Sequence, residues 1–381
     1  MGFLSFAAPP SHIYLTCPSP YPPEKLLLGW KEEGFKVSFL PYDPENRADY
    51  IRTLKHLHDP LALGQKYGIV AFGAAANTVM QVALKPMPKC ASIVAYYPAT
   101  LPSVTHMFPE SLHVVIHIAG LEQPSPPSRE ECEWEFHRYD SARVGFAEPG
   151  EPTYMEVEAN LAWSRSLANA RKGFKTEVDL EGVVDGAWRA KYNMGEDPAQ
   201  GGLAVATKYS QNNPHVTVLP TLEGGVGRKK LLEFYREFFI PSLVEDFRIR
   251  LVSRTVGVDR VVDEMVVAFT HSDEVDWILP GVQATNKKVE IAIVSIVAVR
   301  GGKLVSEHMY WDQASVLAQV GLLDPEVVPK KFKKQGLKRL PVAGVEATRQ
   351  LIEPKQERYN ELLKIHGLFD GLEGVDNPDD D

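Results

Sequence analysis

The sequence predicts two domains of different class, α/β followed by α+β, and three observations predict it. A chain of 381 residues is too long for one small core. Over residues 1–172 short apolar runs alternate with helical patterns, which reads as a mostly parallel sheet covered on both faces. Beyond residue 248 strand-like runs follow one another across short turns, with helical patterns ahead of them. That is an antiparallel sheet curving around a helix and leaving a cone-shaped hollow.

In the first half the apolar runs are HIYLTC, FKVSFL, YGIVAF, ASIVAYYP and HVVIHIAG, with a helical pattern over 24–34 between the first two. YGIVAF runs into Gly73-Ala74-Ala75-Ala76-Asn77 and then a second helical pattern, TVMQVALK. A longer helix is predicted over 154–171. In the second half residues 177–194 form a helix with Val178, Val183, Val184 and Trp188 on its apolar stripe. A Gly/Pro/Asn-rich passage and HVTVLPTLEGGVG follow. An amphipathic helix over 228–243 then presents Leu231, Leu232, Tyr235, Phe238 and Phe239, and Pro241 closes it. The last strands are FRIRLVSRTVG, DRVVDEMVVAFTH, 289–300 and 303–312, the final pair joined at Gly301-Gly302. A helix is expected over 344–367, after a basic stretch, KKFKKQGLKR, to which no chemistry attaches.

Composition narrows the function classes. A net charge of -9 leaves no basic face for phosphates and argues against nucleic acid. No apolar run approaches the roughly 20 residues of a membrane span. The opening residues make a poor signal peptide, and Phe6 spoils a myristoylation site. Cys17, Cys90 and Cys132 are scattered and odd in number, which fits reduced thiols in a cytoplasmic protein without a disulfide frame or zinc spacing. The acidic tail, 377–381, reads as a solvated end. His113 and His117 point the same way from a strand about 13 Å apart, too far for one metal ion, and His106 adds no set, so no metal is expected. No Walker loop or G-x-G-x-x-G occurs, so no cofactor is implied. Gly224-Gly225-Val226-Gly227 precedes a helix and serves either as an anion cradle or, more plainly, as the helix entry.

The run, Gly-rich corner and helix at 67–84, the following VAYYP and the later FHRYDSARVGFAEPG resemble the dienelactone hydrolase family of α/β-hydrolases over residues 10–172. The resemblance implies a nucleophile at the corner, an acid near 121–123 and a histidine in a His-Gly-Phe context. Ala75 stands at the nucleophile position, Asn77 at the second glycine, Val144 at the histidine, and Glu122 is the chargeable residue at the acid. A triad without nucleophile and base has lost its chemistry. This half therefore reads as a degenerate hydrolase domain. A site relocated to His113, His117 or Cys90 is the rival, against hydrogen-bonded core histidines and a packed thiol.

HVTVLPTLEGGVG, FYREFFIPSL, SRTVGVDRVVDEMVVAFTH, VDWILPGVQATNKKVEI and GGKLVSEHMYWDQASVLAQVGLL together resemble the SnoaL-like branch of the NTF2-like superfamily over 176–330, with 331–381 an extension. The fusion is similar to proteins from fungi. The resemblance implies the cone fold, cofactor-independent acid/base chemistry and a homodimer. It implies an acid/base aspartate in a W-D context, matched by Asp312 after Trp311.

Strand alternation gives the pocket candidates. His308, Tyr310 and Asp312 share one face, expected inward; the opposite assignment brings in Glu307, Met309 and Trp311. Asp263, Met265, Val267, Phe269 and His271 share a face of the preceding strand, with Arg254 on the strand before and Asp276 and Trp277 beyond. A carboxylate in an apolar hollow would be raised and act as an acid, and Asp312 is the candidate. Each has a plainer reading. Trp277, Tyr310 and Trp311 suit a core or dimer contact, Asp276 a turn cap, His271 a surface position, and Asp312 the N-cap of the next helix. The expectation is an enzyme (cyclase, isomerase, dehydratase or epoxide hydrolase) of secondary metabolism. Asp312, His308, Asp276 and His271 are catalytic, and Tyr310, Trp277, Trp311, Arg254 and Phe269 contact a small apolar polyketide or terpenoid. A non-catalytic binding or scaffold protein, or residual ester or lactone hydrolysis in the first half, are the alternatives.

Overall fold

The computed structural model describes residues 10–124, 128, 131–192, 197–355 and 359–367. Residues 1–9, including Phe6, and the acidic tail at 377–381 lie outside the described residues. The chain divides into two compact units, Met1–Asp179 and Leu180–Asp381.

The first unit runs β1 (His12–Thr16), α1 (Glu24–Glu32), β2 (Lys36–Phe39), α2 (Arg47–Lys55), β3 (Tyr67–Phe72), α3 (Gly73–Ala83), β4 (Cys90–Tyr96), β5 (His113–Ala119), β6 (Glu135–Tyr139) and α4 (Glu156–Phe174). Its six strands form a sheet in the order β2-β1-β3-β4-β5-β6, every pair parallel. Residues of β1, β3 and β4 are buried without alternation. Helices on both faces remove water from both sets of side chains, so a run such as YGIVAF has no polar side.

The second unit begins with α5 (Leu180–Lys191), α6 (Pro198–Ala206), β7 (His215–Val218), β8 (Glu223–Val226) and α7 (Arg228–Phe234), which continues as a π-helical turn over Tyr235–Phe239. Then come β9 (Arg248–Val256), β10 (Arg260–Thr270), β11 (Lys288–Arg300), β12 (Lys303–Trp311), α8 (Gln313–Val320), α9 (Lys330–Lys334), α10 (Val345–Ile352) and α11 (Glu361–Ile365). The sheet order is β8-β7-β12-β11-β10-β9.

Four expectations are corrected. The sheet is mixed rather than antiparallel, because β7 returns from the helical segment to lie parallel to β12. Helix α6 was hidden in the Gly/Pro/Asn-rich passage, although Asp197 at its N-cap accepts from the Ala199 N–H and Pro198 opens it. The π-turn shifts the phase of the 228–243 helix. Leu231, Phe234, Tyr235 and Phe239 are buried while Phe238 stands 47% exposed, because five residues per bond rotate the following side chains away from the 3.6 register. The helix expected over 344–367 is two pieces: Pro354 follows the end of α10, and residues 356–358 lie outside the description.

Candidate functional site

The wall of the second unit's interior is built by strand alternation. Val261, Asp263, Met265, Val267 and Phe269 of β10 and His271 just beyond it are buried in alternate order, with Val266 buried as well. On β11 the buried set includes Val289, Ile291, Ile293, Ser295 and Val297. On β12 it is Leu304, Glu307 and Met309. A bulge opposite Ala298 and Val299 adds one residue to the β12 spacing and sets its phase. Glu307, paired with Val297 and Val216, therefore points inward. His308 and Tyr310 point to the other face, contrary to expectation. Glu307 is 2% exposed and Tyr310 43%.

A carboxylate in this interior needs partners, and four residues supply them. Lys191, the last residue of α5, makes a buried ion pair with Glu307 Oε2. Tyr209 donates to the same oxygen at 2.8 Å. The Tyr235 hydroxyl lies 3.5 Å from that oxygen and 2.9 Å from the Tyr209 hydroxyl. Ser295 Oγ donates to Oε1 at 3.1 Å. Burial by itself would raise the Glu307 carboxyl, but the Lys191 charge and these hydrogen bonds outweigh it and hold the group below its ordinary value. Burial and the neighbouring Glu307 charge push the Tyr209 and Tyr235 hydroxyls well up, so both stay neutral donors. Tyr192 is raised by burial, then by Glu307 and Asp263.

A file of rings leads from this carboxylate to the end of β12. Centroids are 6.1 Å apart for Tyr209–Tyr235, 5.4 Å for Tyr235–Phe239, 4.9 Å for Phe239–Trp277 and 5.6 Å for Trp277–Trp311. The Trp277 indole N–H is buried and meets no acceptor among the described residues, an arrangement that costs free energy unless something fills it. Nearby, His271 is fully buried rather than a surface residue. Its Nδ1 lies 3.0 Å from Thr285 Oγ1. Burial lowers its imidazole, against a smaller opposing effect of the Val282 carbonyl.

The other expected site residues are placed as follows. Asp312 caps α8, accepting the Ala314 N–H at 3.0 Å. Asp276 accepts the Gly281 N–H at 3.4 Å across a turn. His308 Nε2 sits 3.2 Å from His215 Nε2 on the sheet's other face, its imidazole lowered first by burial and then by His215 and Arg260. Phe269 and Trp277 are core, and Trp311 is half-buried with its N–H on Gln313. Arg254 grips Asp263 through two bonds, 2.6 and 3.0 Å, and reaches Asp185 and Glu181 on α5. These contacts raise it further. So β12 and β10 place Glu307 and Asp263 in the interior, each against a cation, while Asp312 and Asp276 serve loop and helix ends. Sequence reasoning named Glu307 only as the opposite assignment and missed Lys191, Tyr209 and Ser295. One signal existed: Leu180, Val184 and Ala187 are the buried stripe of α5, and Lys191 continues it at helical spacing.

In the first unit Ala75 is fully buried within the first turn of α3. The left-handed residue at the strand-to-helix corner is Gly73, φ +55°. The Glu122 carboxylate accepts the Val144 N–H at 2.9 Å. Asn77 accepts the Thr100 N–H. His117 is a hydrogen-bonded core histidine, held by Tyr139 and Ser166 at 3.0 and 2.9 Å. Burial pushes the Cys90 thiol up to about 12, far from a nucleophilic thiolate. His113 is half-buried and lowered mainly by burial.

No protein-family model matches the chain, and no curated protein matches it. Solved structures do. A hypothetical protein with a ketosteroid isomerase-like fold from Catenulispora acidiphila, in complex with trimethylamine, is 18% identical with a TM-score of 0.29; the match covers 39% of this chain and 97% of that one. A protein designated a SnoaL-like polyketide cyclase from Jannaschia sp. CCS1 is 12% identical with a TM-score of 0.32, covering 39% and 99%. An NTF2-like protein from Burkholderia xenovorans is 14% identical with a TM-score of 0.27, covering 37% and 94%. No helix among the described residues is long and apolar enough to cross a membrane.

Proposed function

We propose that the second unit is a cofactor-independent acid/base enzyme of the cyclase, isomerase, dehydratase or epoxide hydrolase type, acting on a small, largely apolar polyketide- or terpenoid-like metabolite. The observation that carries this is the inward Glu307 with Lys191, Tyr209, Tyr235 and Ser295 on its two oxygens, in an aromatic interior. Glu307, held ionised, is the proton acceptor. The neutral tyrosines donate to that carboxylate and to each other and so fix its position, and a dry surrounding strengthens those bonds. The unpartnered Trp277 N–H is a donor awaiting an acceptor on a guest. The SnoaL-like resemblance supports the reaction class. It also supports a homodimer through the outer sheet face, where Tyr310 stands exposed beside half-buried Val294 and Ile296; light scattering of the full chain tests that. The degenerate hydrolase reading of the first unit rests on the left-handed corner at Gly73 between β3 and α3, with Ala75 buried at the nucleophile position of that resemblance.

A second reading has its own observation. Both Glu307 oxygens are occupied, and Tyr209, Tyr235, Phe239 and Trp277 are each under 2% exposed. That suits a binding or scaffold domain whose polar cluster only fixes the core. The test is conversion of a panel of small polyketide and terpenoid metabolites, read by mass spectrometry. Binding with no product supports the scaffold. Conversion that persists in Lys191→Met/Glu307→Gln removes the enzyme assignment from this cluster.

A further inference from the structure

Residues 325–340 form a closed surface loop with an unusual tip. Its base is pinned by the Leu340 N–H on the Pro325 carbonyl at 2.8 Å and by Arg339 against Glu326 at 3.2 Å. Such a pinned excursion is a compact, preformed element. At its tip α9 buries none of its residues, so the segment does not serve the core. Residues 330–338 carry Lys330, Lys331, Lys333, Lys334 and Lys338 and no acid. Among the described residues none of these lysines pairs with a carboxylate, and all five are exposed. Three apolar side chains stand out on the same stretch of chain: Leu322 at 57%, Val327 at 66% and Phe332 at 47% exposed. Phe332 sits in the middle of the lysine run, with Lys331 Nζ 5.9 Å from its ring centroid.

We propose that this loop is a docking surface for an anionic lipid bilayer. Charge and apolarity point to that occupant together. A run of lysines alone is served by any polyanion, but an exposed phenylalanine among lysines matches an interface where phosphate headgroups lie above hydrocarbon. Lysines meet the headgroups and the ring enters the boundary beneath them. The net charge of -9 does not forbid this, because at physiological salt charges beyond about 8 Å are largely screened and the loop's own five lysines dominate at contact. Nor does the expectation of no membrane partner, which rested on the lack of a spanning segment; surface attachment needs none. One such loop gives reversible, salt-sensitive attachment rather than permanent anchoring.

The full chain is sedimented with vesicles of phosphatidylcholine alone and of phosphatidylcholine with 30% phosphatidylserine. Binding is expected on the anionic vesicles only and is lost in 0.5 M salt. Lys331→Glu/Lys334→Glu should weaken it about tenfold or more. Phe332→Ala should weaken it severalfold at unchanged salt dependence. Equal sedimentation with both vesicles, or binding unaffected by the charge reversal, overturns the proposal. So does loop-dependent capture of an RNA oligonucleotide in place of vesicles. Salt-insensitive binding of the unaltered protein overturns the proposal even if a variant folds poorly.

Discussion

Lys191→Met is the sharpest probe of the interior. It removes the cation from Glu307 and leaves the carboxylate with Tyr209, Tyr235 and Ser295, at 2% exposure. Breaking one side of a buried pair costs about 3–5 kcal/mol, because the remaining charge stays desolvated. For a unit of this size each kcal/mol moves the midpoint by about 2–4 °C, so the loss is about 6–20 °C in thermal melts of the full chain. Hydrogen exchange by mass spectrometry should place the loosening in β11 and β12. Glu307→Gln alone should cost a comparable amount by stranding Lys191. The double variant should recover most of it, since methionine and glutamine carry no charge and glutamine can still accept from Tyr209. The resulting coupling energy should reach about 2 kcal/mol or more. Single-variant costs that add in the double within about 0.5 kcal/mol would show that the two side chains do not depend on each other, and the site as described would fail.

Four further outcomes follow from the geometry. Asp312→Ala should cost about 1 kcal/mol through the lost α8 cap, while Asp312→Asn costs a few tenths and leaves turnover unchanged; abolition of turnover by the asparagine variant would return the chemistry to that residue. Stability should fall on acidification in two stages, followed as midpoint against pH. His117, His271 and His308 are all lowered, so their neutral forms support the fold, and that support is lost as pH drops below the unfolded value of about 6.5. Glu307 is also lowered, so its contribution is full above about 4.5 and is lost as pH falls further; a flat midpoint between pH 7 and 5 would contradict the histidine environments. Gly73→Ala should cost about 1–2 kcal/mol from backbone strain at φ +55°, since the nearest heavy atom to the new Cβ, Pro18 Cγ, is at an ordinary 3.7 Å. Ala75→Ser should yield no hydrolysis of a chromogenic ester, because the residue is buried in α3; measurable turnover would reinstate a hydrolase corner there.

By itself the sequence determined the periodicities and their punctuation: a parallel sheet from unbroken apolar runs, the β11–β12 hairpin from Gly301-Gly302, the inward face of β10, the cap at Asp312. These depend on neighbours a few residues away. Tertiary structure alone decided which face of β12 looks inward. Alternation offers two equal answers, and a Glu reads as the solvent side until a cation arrives to meet it. That cation, Lys191, lies 116 residues away in sequence on a helix whose stripe otherwise reads as apolar. The same holds for the parallel pairing of β7 with β12, the π-turn that exposes Phe238, and the meeting of Glu122 with Val144. Each is a contact between distant segments, whose free energy depends on what burial removes from water and not on any local pattern.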